Sequence, residues 1–171
     1  FRVPFGKVLA LLHRVDMLFL GNPNNPGGTL MDQDELCALL GAAEKKGVLA
    51  VVDEAFVDFS PRHSLVGNIR RRKNLMLLRS MTKFYGIPGI RLGYLVGSTP
   101  LLKQLNRYKE PWTVNALAQK IGVACAADER FAARTRRFVD SERDYLFTRL
   151  QSISGLQPRP SSTNYLLVKI T

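Results

Sequence analysis

Residues 32–56 read DQDELCALLGAAEKKGVLAVVDEAF. The first part, 32–47, has helical spacing: Leu36, Leu39, Leu40 and Ala43 fall on one face. Asp32 and Glu35 form a capping-box pattern at its start, and Gly47 is placed to close its end. The second part, VLAVVDEAF (48–56), is apolar on both faces until Asp53. That pattern belongs to a strand covered on both sides, and a helix feeding such a strand is the unit of a parallel sheet.

The flanking segments extend the same reading. VDMLFLGNP (15–23) is a short apolar run stopped by Gly-Asn-Pro, and NLMLLRS (74–80) and IRLGYLVG (90–97) supply a third and a fourth strand. The link between the last two contains Pro88 and barely reaches the length of a parallel crossover, so the fourth strand is expected to run antiparallel. Beyond residue 100 the pattern turns helical. LLKQLNRYK (101–109) is a short helix, and Thr113 is positioned to cap a helix to Ala126 with Val114, Leu117, Ala118, Ile121 and Cys125 inward. Asp128 is positioned to cap a long helix to about Leu150, with Phe131, Thr135, Phe138, Tyr145 and Leu146 as its stripe. Gly155, Pro158 and Pro160 break the chain before a last strand at 164–170.

The 171 residues suffice for one domain with a sizeable core, and 46% apolar and 23% charged residues are ordinary for a globular protein. No apolar run reaches the roughly 18 residues of a membrane span, so no membrane partner is expected. The formal charge of +11 raises nucleic acid as a partner. Its two clusters read otherwise: Arg70–Lys73 as a polar connector, and the arginines between 130 and 149 as a solvated helix face mixed with acids. No aromatic-interleaved basic motif accompanies them, and no nucleic acid is expected. Cys37 and Cys125 have no Cys or His at metal-ligand spacing; both read as small buried hydrophobes in a reducing cytoplasm, with no metal site. The chain opens without Met and ends inside a strand-like run, so a piece of a longer protein is expected.

In an open parallel sheet, ligands bind beyond the carboxyl ends of the strands. Polar residues gather there. Strand one ends in Asn22, Asn24 and Asn25, strand two in Asp53 and Glu54, strand three in Ser80, Thr82 and Lys83, and Arg91 opens strand four. Taken singly, each has an ordinary explanation as a turn, a cap or a solvated charge. Together they match the needs of pyridoxal 5'-phosphate. A lysine whose ammonium is disfavoured by burial and nearby cations forms a Schiff base with the aldehyde. An aspartate keeps the ring nitrogen protonated, so the ring draws electrons from the substrate Cα. A hydroxyl and an arginine bind the phosphate, and an amide donates to the phenolate oxygen.

GNPNNPGG (21–28), VVDEAF (51–56) and LRSMTKFYGIPGIRLGY (78–94) resemble the signatures of the class I/II aminotransferases of fold type I. Within that superfamily the chain most resembles the threonine-phosphate decarboxylases of cobalamin biosynthesis, through DEAFVDF, LRSMTKFYGIPGIRLGYLV, PWTVNALA (111–118) and NYLLV (164–168). Histidinol-phosphate aminotransferases come next. The resemblance implies an α/β chain, part of the large domain of a fold type I enzyme, with a mostly parallel sheet and helices on both faces. Residues 1–127 would be part of the cofactor-binding large domain, 128–152 a connecting helix, and 153–171 the start of a small domain.

The resemblance also implies roles. Lys83 would hold the cofactor and carry the proton at Cα, Asp53 would pair with the pyridinium nitrogen, and Asn25 would donate to the phenolate oxygen. Ser80 and Arg91, with Thr82 assisting, would hold the cofactor phosphate, and Asn164 would lie near the substrate. Many relatives carry Tyr where this chain has Phe56; the decarboxylase subgroup shares the Phe. Gly27 stands where relatives commonly have Thr. The relatives are cytoplasmic homodimers of roughly twice this length, so a homodimer and a small phosphorylated amino-acid substrate are implied. The implied reaction is decarboxylation of L-threonine O-3-phosphate to (R)-1-amino-2-propanol O-2-phosphate. A histidinol-phosphate-type aminotransferase is the alternative enzyme. The non-enzyme alternative is a basic nucleic-acid-binding or regulatory domain with an aminotransferase-like fold.

Overall fold

A computed structural model describes residues 3–171. Four strands form one sheet in the order β1 (Met17–Gly21), β2 (Leu49–Asp53), β3 (Leu75–Ser80) and β4 (Gly93–Gly97). The first three are parallel, with Gly21 beside Asp53 and Asp53 beside Leu78. The fourth runs antiparallel to β3, as the short link demands, and places Gly93 beside Ser80. This is the α/β architecture expected.

Helix α1 (Phe5–Leu11), which sequence patterning did not single out, leads into the sheet, and α2 (Gln33–Lys45) crosses from β1 to β2. The Asp32 side chain accepts hydrogen bonds from the amides of Asp34 and Glu35, satisfying two of the free donors at the α2 N-terminus. Gly47 sits at φ 72°, as a left-handed helix closure requires. The expected face of α2 is the buried one. Leu36 and Leu40 pack on Ala50, Val52, Leu75 and Leu77, while Leu39 and Ala43 join Leu12 and Val48 beneath α1.

Strand alternation divides the sheet into two faces. Ala50, Val52, Leu75 and Leu77 belong to the α2 side. Val51, Asp53, Met76, Leu78 and Ser80 belong to the other, along with Phe19 and Leu95, which remain 66% and 41% exposed.

The second half departs from the sequence expectations at several points. The short helix α4 spans Thr99–Asn106, after the brief α3 (Met81–Phe84). The cap of α5 (Ala116–Ala127) is Asn115, not Thr113: the Asn115 side chain takes the Ala118 amide at 2.8 Å. Of the five residues expected inward on α5, only Ala118 is buried, and Leu117 is 61% exposed. Helix α6 (Glu129–Gln151) does begin at an Asp128 cap, but Phe138, Tyr145 and Leu146 of its expected stripe are exposed. The last strand is shorter than 164–170. It is β6 (Val168–Ile170), paired antiparallel with β5 (Leu156–Pro158), which its two-proline neighbourhood had hidden. Among the described residues no helix is long and apolar enough to cross a membrane, and no group of side chains could hold a metal ion.

Candidate active site

Asp53 ends β2 with strands on both sides, and one of its carboxylate oxygens takes the Ala55 amide at 2.8 Å. Ser80 ends β3 two residues past Leu78, the neighbour of Asp53, so the two side chains share a sheet face. The Ser80 hydroxyl lies 2.9 Å from that of buried Thr82. Lys83 follows on α3. Met81, Thr82 and Phe84 of that helix are buried, and Lys83 alone is turned out. Its anchor is aromatic: Phe84 packs edge-on against Phe59 and Phe131, and Tyr85 stacks on Phe131 of α6.

From that anchor the Lys83 ammonium stands 5.9 Å from the centre of the Phe56 ring. Phe56 in turn meets Tyr165 edge-on at 5.0 Å, and the Tyr165 hydroxyl donates to the carbonyl of Asn24 at 3.0 Å. Burial pushes the Tyr165 phenol above its ordinary value; the Thr163 hydroxyl opposes this, and the negative charge of Asp53 adds to it. Lys83, Phe56, Tyr165, Asp53 and the loop after β1 thus form one continuous neighbourhood. The burial expected for Lys83 is not found: Lys83, Asp53, Asn25 and Arg91 are all exposed in this chain.

Not every polar residue at the strand ends belongs to this neighbourhood. Glu54 points to the opposite face, wholly buried, with its carboxylate bound to the Leu65 amide, the Ser64 hydroxyl and Arg79. Alternation along β2 made that separation from Asp53 unavoidable. Asn22 and Asn24 serve the loop itself, accepting from the amides of Met31 and Gly27 at 2.8 and 3.2 Å. Among the described residues, Asn25 alone of the three makes no such bond, and it faces solvent.

Arg91 does not open β4. It closes a short 3-10 turn at Pro88–Ile90 in the left-handed conformation, φ 55°, with its guanidinium on the Pro88 carbonyl at 3.1 Å. A non-glycine residue held there is uncommon and costs energy. Asn164 is exposed in the bend before β6, beside Tyr165. Tyr165, the residue that joins the loop to Phe56, was passed over in the sequence because NYLLV reads as a strand. Its lone hydroxyl in an apolar run was the available signal.

Among the described residues, Asp53, Lys83 and Arg91 form no ion pair. An acid, an amine and a guanidinium are therefore, among the described residues, without a counter-charge, the acid and the guanidinium bonded only to backbone groups. The neighbourhood is also fastened from behind. Gly28 lies at φ 66° against Ser161 and Thr163, and its carbonyl accepts the Ser162 amide at 2.7 Å.

The family model described as "Aminotransferase class I and II" matches residues 1–171. A provisionally named threonine-phosphate decarboxylase of Caldanaerobacter subterraneus subsp. tengcongensis is 38% identical over 99% of this chain and 47% of its own length. A histidinol-phosphate aminotransferase of Chlorobium chlorochromatii is 35% identical over 91% of this chain and 42% of its own. The crystal structure of the histidinol-phosphate aminotransferase from Clostridium acetobutylicum superposes with a TM-score of 0.94 at 28% identity, covering 99% of this chain and 52% of that one. The chain spans about half the length of the curated relatives it matches.

Proposed function

We propose that this chain, which belongs to the class I and II aminotransferase family, carries the lysine and carboxylate side of a pyridoxal 5'-phosphate site. The whole protein, on this reading, decarboxylates L-threonine O-3-phosphate to (R)-1-amino-2-propanol O-2-phosphate. The observation that carries the reading is the shared sheet face of Asp53 and Ser80, with outward-turned Lys83 one short helix later at the Phe56 ring.

The donor set fits the cofactor. The Lys83 amine suits an aldehyde, and the Asp53 carboxylate suits a protonated ring nitrogen. The Ser80 and Thr82 hydroxyls and the Arg91 guanidinium suit a phosphate dianion, and the Asn25 amide suits a phenolate oxygen. When bound, the cofactor supplies a sink for the electron pair left at the substrate Cα. Lys83 Nζ would hold the cofactor and, once freed, would be the group placed to supply a proton at the substrate Cα. Asp53 sustains the positive charge on the ring nitrogen. Phe56 and Tyr165 present an apolar wall beside the lysine.

Decarboxylation is favoured over transamination by Phe56 and by the match to the decarboxylase relative over 99% of this chain, although one histidinol-phosphate aminotransferase reaches 39% identity over 90% of it. Transamination of histidinol phosphate is the second reading, supported by the 35% identical aminotransferase and the 0.94 superposition. The test uses the whole protein. A visible absorbance band on adding pyridoxal phosphate, lost in Lys83→Ala, is expected. Release of CO2 from threonine phosphate without a keto-acid acceptor is expected next. Conversion of the cofactor to its amine form by an amino donor, with no CO2, would instead establish the aminotransferase.

A further inference from the structure

Each of the two strands that present the candidate cofactor residues also has a charged residue one position away, an acid beside Asp53 and a cation beside Ser80. In β2 the pair is Asp53 and Glu54, and in β3 it is Ser80 and Arg79. Successive strand residues face opposite ways. Glu54 and Arg79 therefore meet on the α2 side, while Asp53 and Ser80 share the other face.

The meeting is a buried clamp. The Glu54 amide donates to the Leu78 carbonyl at 2.9 Å, carrying the β2–β3 ladder one residue past Asp53. The Glu54 carboxylate takes the Leu65 amide at 2.6 Å, the Ser64 hydroxyl at 2.8 Å and Arg79 Nη1 at 3.2 Å. The other Arg79 nitrogen, Nη2, is bound to Asp58. The guanidinium also lies 5.8 Å from the centre of the Tyr94 ring, on β4. From α6, Arg136 Nε donates to the Asp58 carbonyl at 3.0 Å and its guanidinium sits 5.3 Å from the Phe84 ring. One arginine thus joins the ends of β2, β3 and β4 to the segment 54–65 and, through Asp58, to α6. A guanidinium keeps its charge and its flat fork, so it holds two acids at a fixed spacing as no other side chain would.

We propose that Arg79, clamped between Glu54 and Asp58, is a positioning residue that sets where Asp53 stands relative to Ser80 and Lys83. The proposal rests on the reading that those three residues hold the cofactor. Ser80 is the next residue after Arg79, and Lys83 lies one turn further on a four-residue helix. A shift at Arg79 is carried straight to both, whereas Asp53 moves with Glu54. Loosening the clamp changes the span across which a ring must fit.

The experiment titrates pyridoxal phosphate into ligand-free whole protein as wild type, Arg79→Lys, Arg79→Met, Glu54→Gln and Lys83→Ala. It follows the dissociation constant, the position of the visible band and the unfolding temperature without ligand. Arg79→Lys keeps the charge but cannot fork to both acids. It is expected to weaken binding by about 10- to 100-fold and move the band, a loss of affinity larger than the accompanying loss of ligand-free stability. Glu54→Gln should act in the same direction by less. Should Arg79→Met fail to fold, those two variants still decide. Unchanged affinity and band in both would overturn the proposal, as would a loss of affinity matched by an equal loss of ligand-free stability. A wild type with no band refutes the cofactor reading and this proposal with it. A wild-type band lost in Lys83→Ala upholds that reading whatever Arg79 does.

Discussion

Replacing Gly28 by Ala tests the seam between the loop after β1 and the segment before β6. A Cβ at Gly28 would lie 2.0 Å from Ser161 Oγ, 2.8 Å from Ser161 Cβ and 3.1 Å from Thr163 Oγ1. The first two separations are shorter than real Cβ contacts and the third is tight, so Ser161 must move. Its movement breaks two hydrogen bonds, Ser161 Oγ with Thr163 Oγ1 at 2.9 Å and with the Thr163 amide at 3.1 Å. Each is worth about 1 kcal/mol. The left-handed backbone at φ 66° adds roughly 1–2 kcal/mol for any residue with a Cβ. The expected loss is therefore about 3–4 kcal/mol, a large part of the roughly 5–15 kcal/mol available to a domain. Equilibrium urea unfolding of the whole protein measures it as a fall in midpoint at constant slope. Ser161→Gly alone loses the same two hydrogen bonds and should cost about 2 kcal/mol, and adding Gly28→Ala to it should add only the backbone cost of about 1–2 kcal/mol, because the clash is gone. A Gly28→Ala loss below about 1 kcal/mol, or a double variant as costly as the two single variants added together, would refute the packing argument.

Other changes give different signatures. Leu77→Ala, at a position fully buried under α2, should cost about 2–5 kcal/mol in the same urea experiment. Asp32→Ala removes the acceptor for two amides at the α2 N-terminus and should cost about 0.5–2 kcal/mol. Tyr165→Phe keeps the ring against Phe56 but loses the bond to the Asn24 carbonyl, and weaker uptake of pyridoxal phosphate in an absorbance titration is expected. The same variant has a pH signature. The folded phenols of Tyr85, Tyr94 and Tyr165 are all raised above 10.0, chiefly by burial. The folded state then binds more protons than the unfolded one in the window just above 10, so stability falls as pH rises through it. Unfolding measured across that window should show a shallower fall in Tyr165→Phe than in wild type.

Much of the layout followed from local patterns. The α2 face, its Asp32 cap and the Gly47 closure are properties of a short segment, and the sequence contained each of them outright. The antiparallel course of β4 follows from chain length, because the link from β3 leaves no room for a crossover. Asp53, Ser80 and Lys83 were legible as candidates because polar residues at the ends of apolar strands are unusual in combination. The two acids read together at the end of β2, yet spacing by twos places Asp53 and Glu54 on opposite faces.

Which face became the protein's interior was a tertiary matter. Glu54 is buried because Arg79, twenty-five positions later, meets it there with Asp58, and no local pattern links those three. Asn22 and Asn24 are spent on amides of their own loop, which leaves Asn25 outward; the triplet alone does not distinguish them. On α5 and α6 the apolar spacing was present, yet Leu117, Phe138 and Tyr145 stay exposed, since periodicity states which side chains share a stripe and packing partners decide whether it is covered. Tyr165 reaches Asn24 across 141 positions, a contact set only by the return of the chain beyond α6. Short-range chemistry thus determined the elements and the residue types at their ends, and long-range contacts determined which of those residues came to share a site.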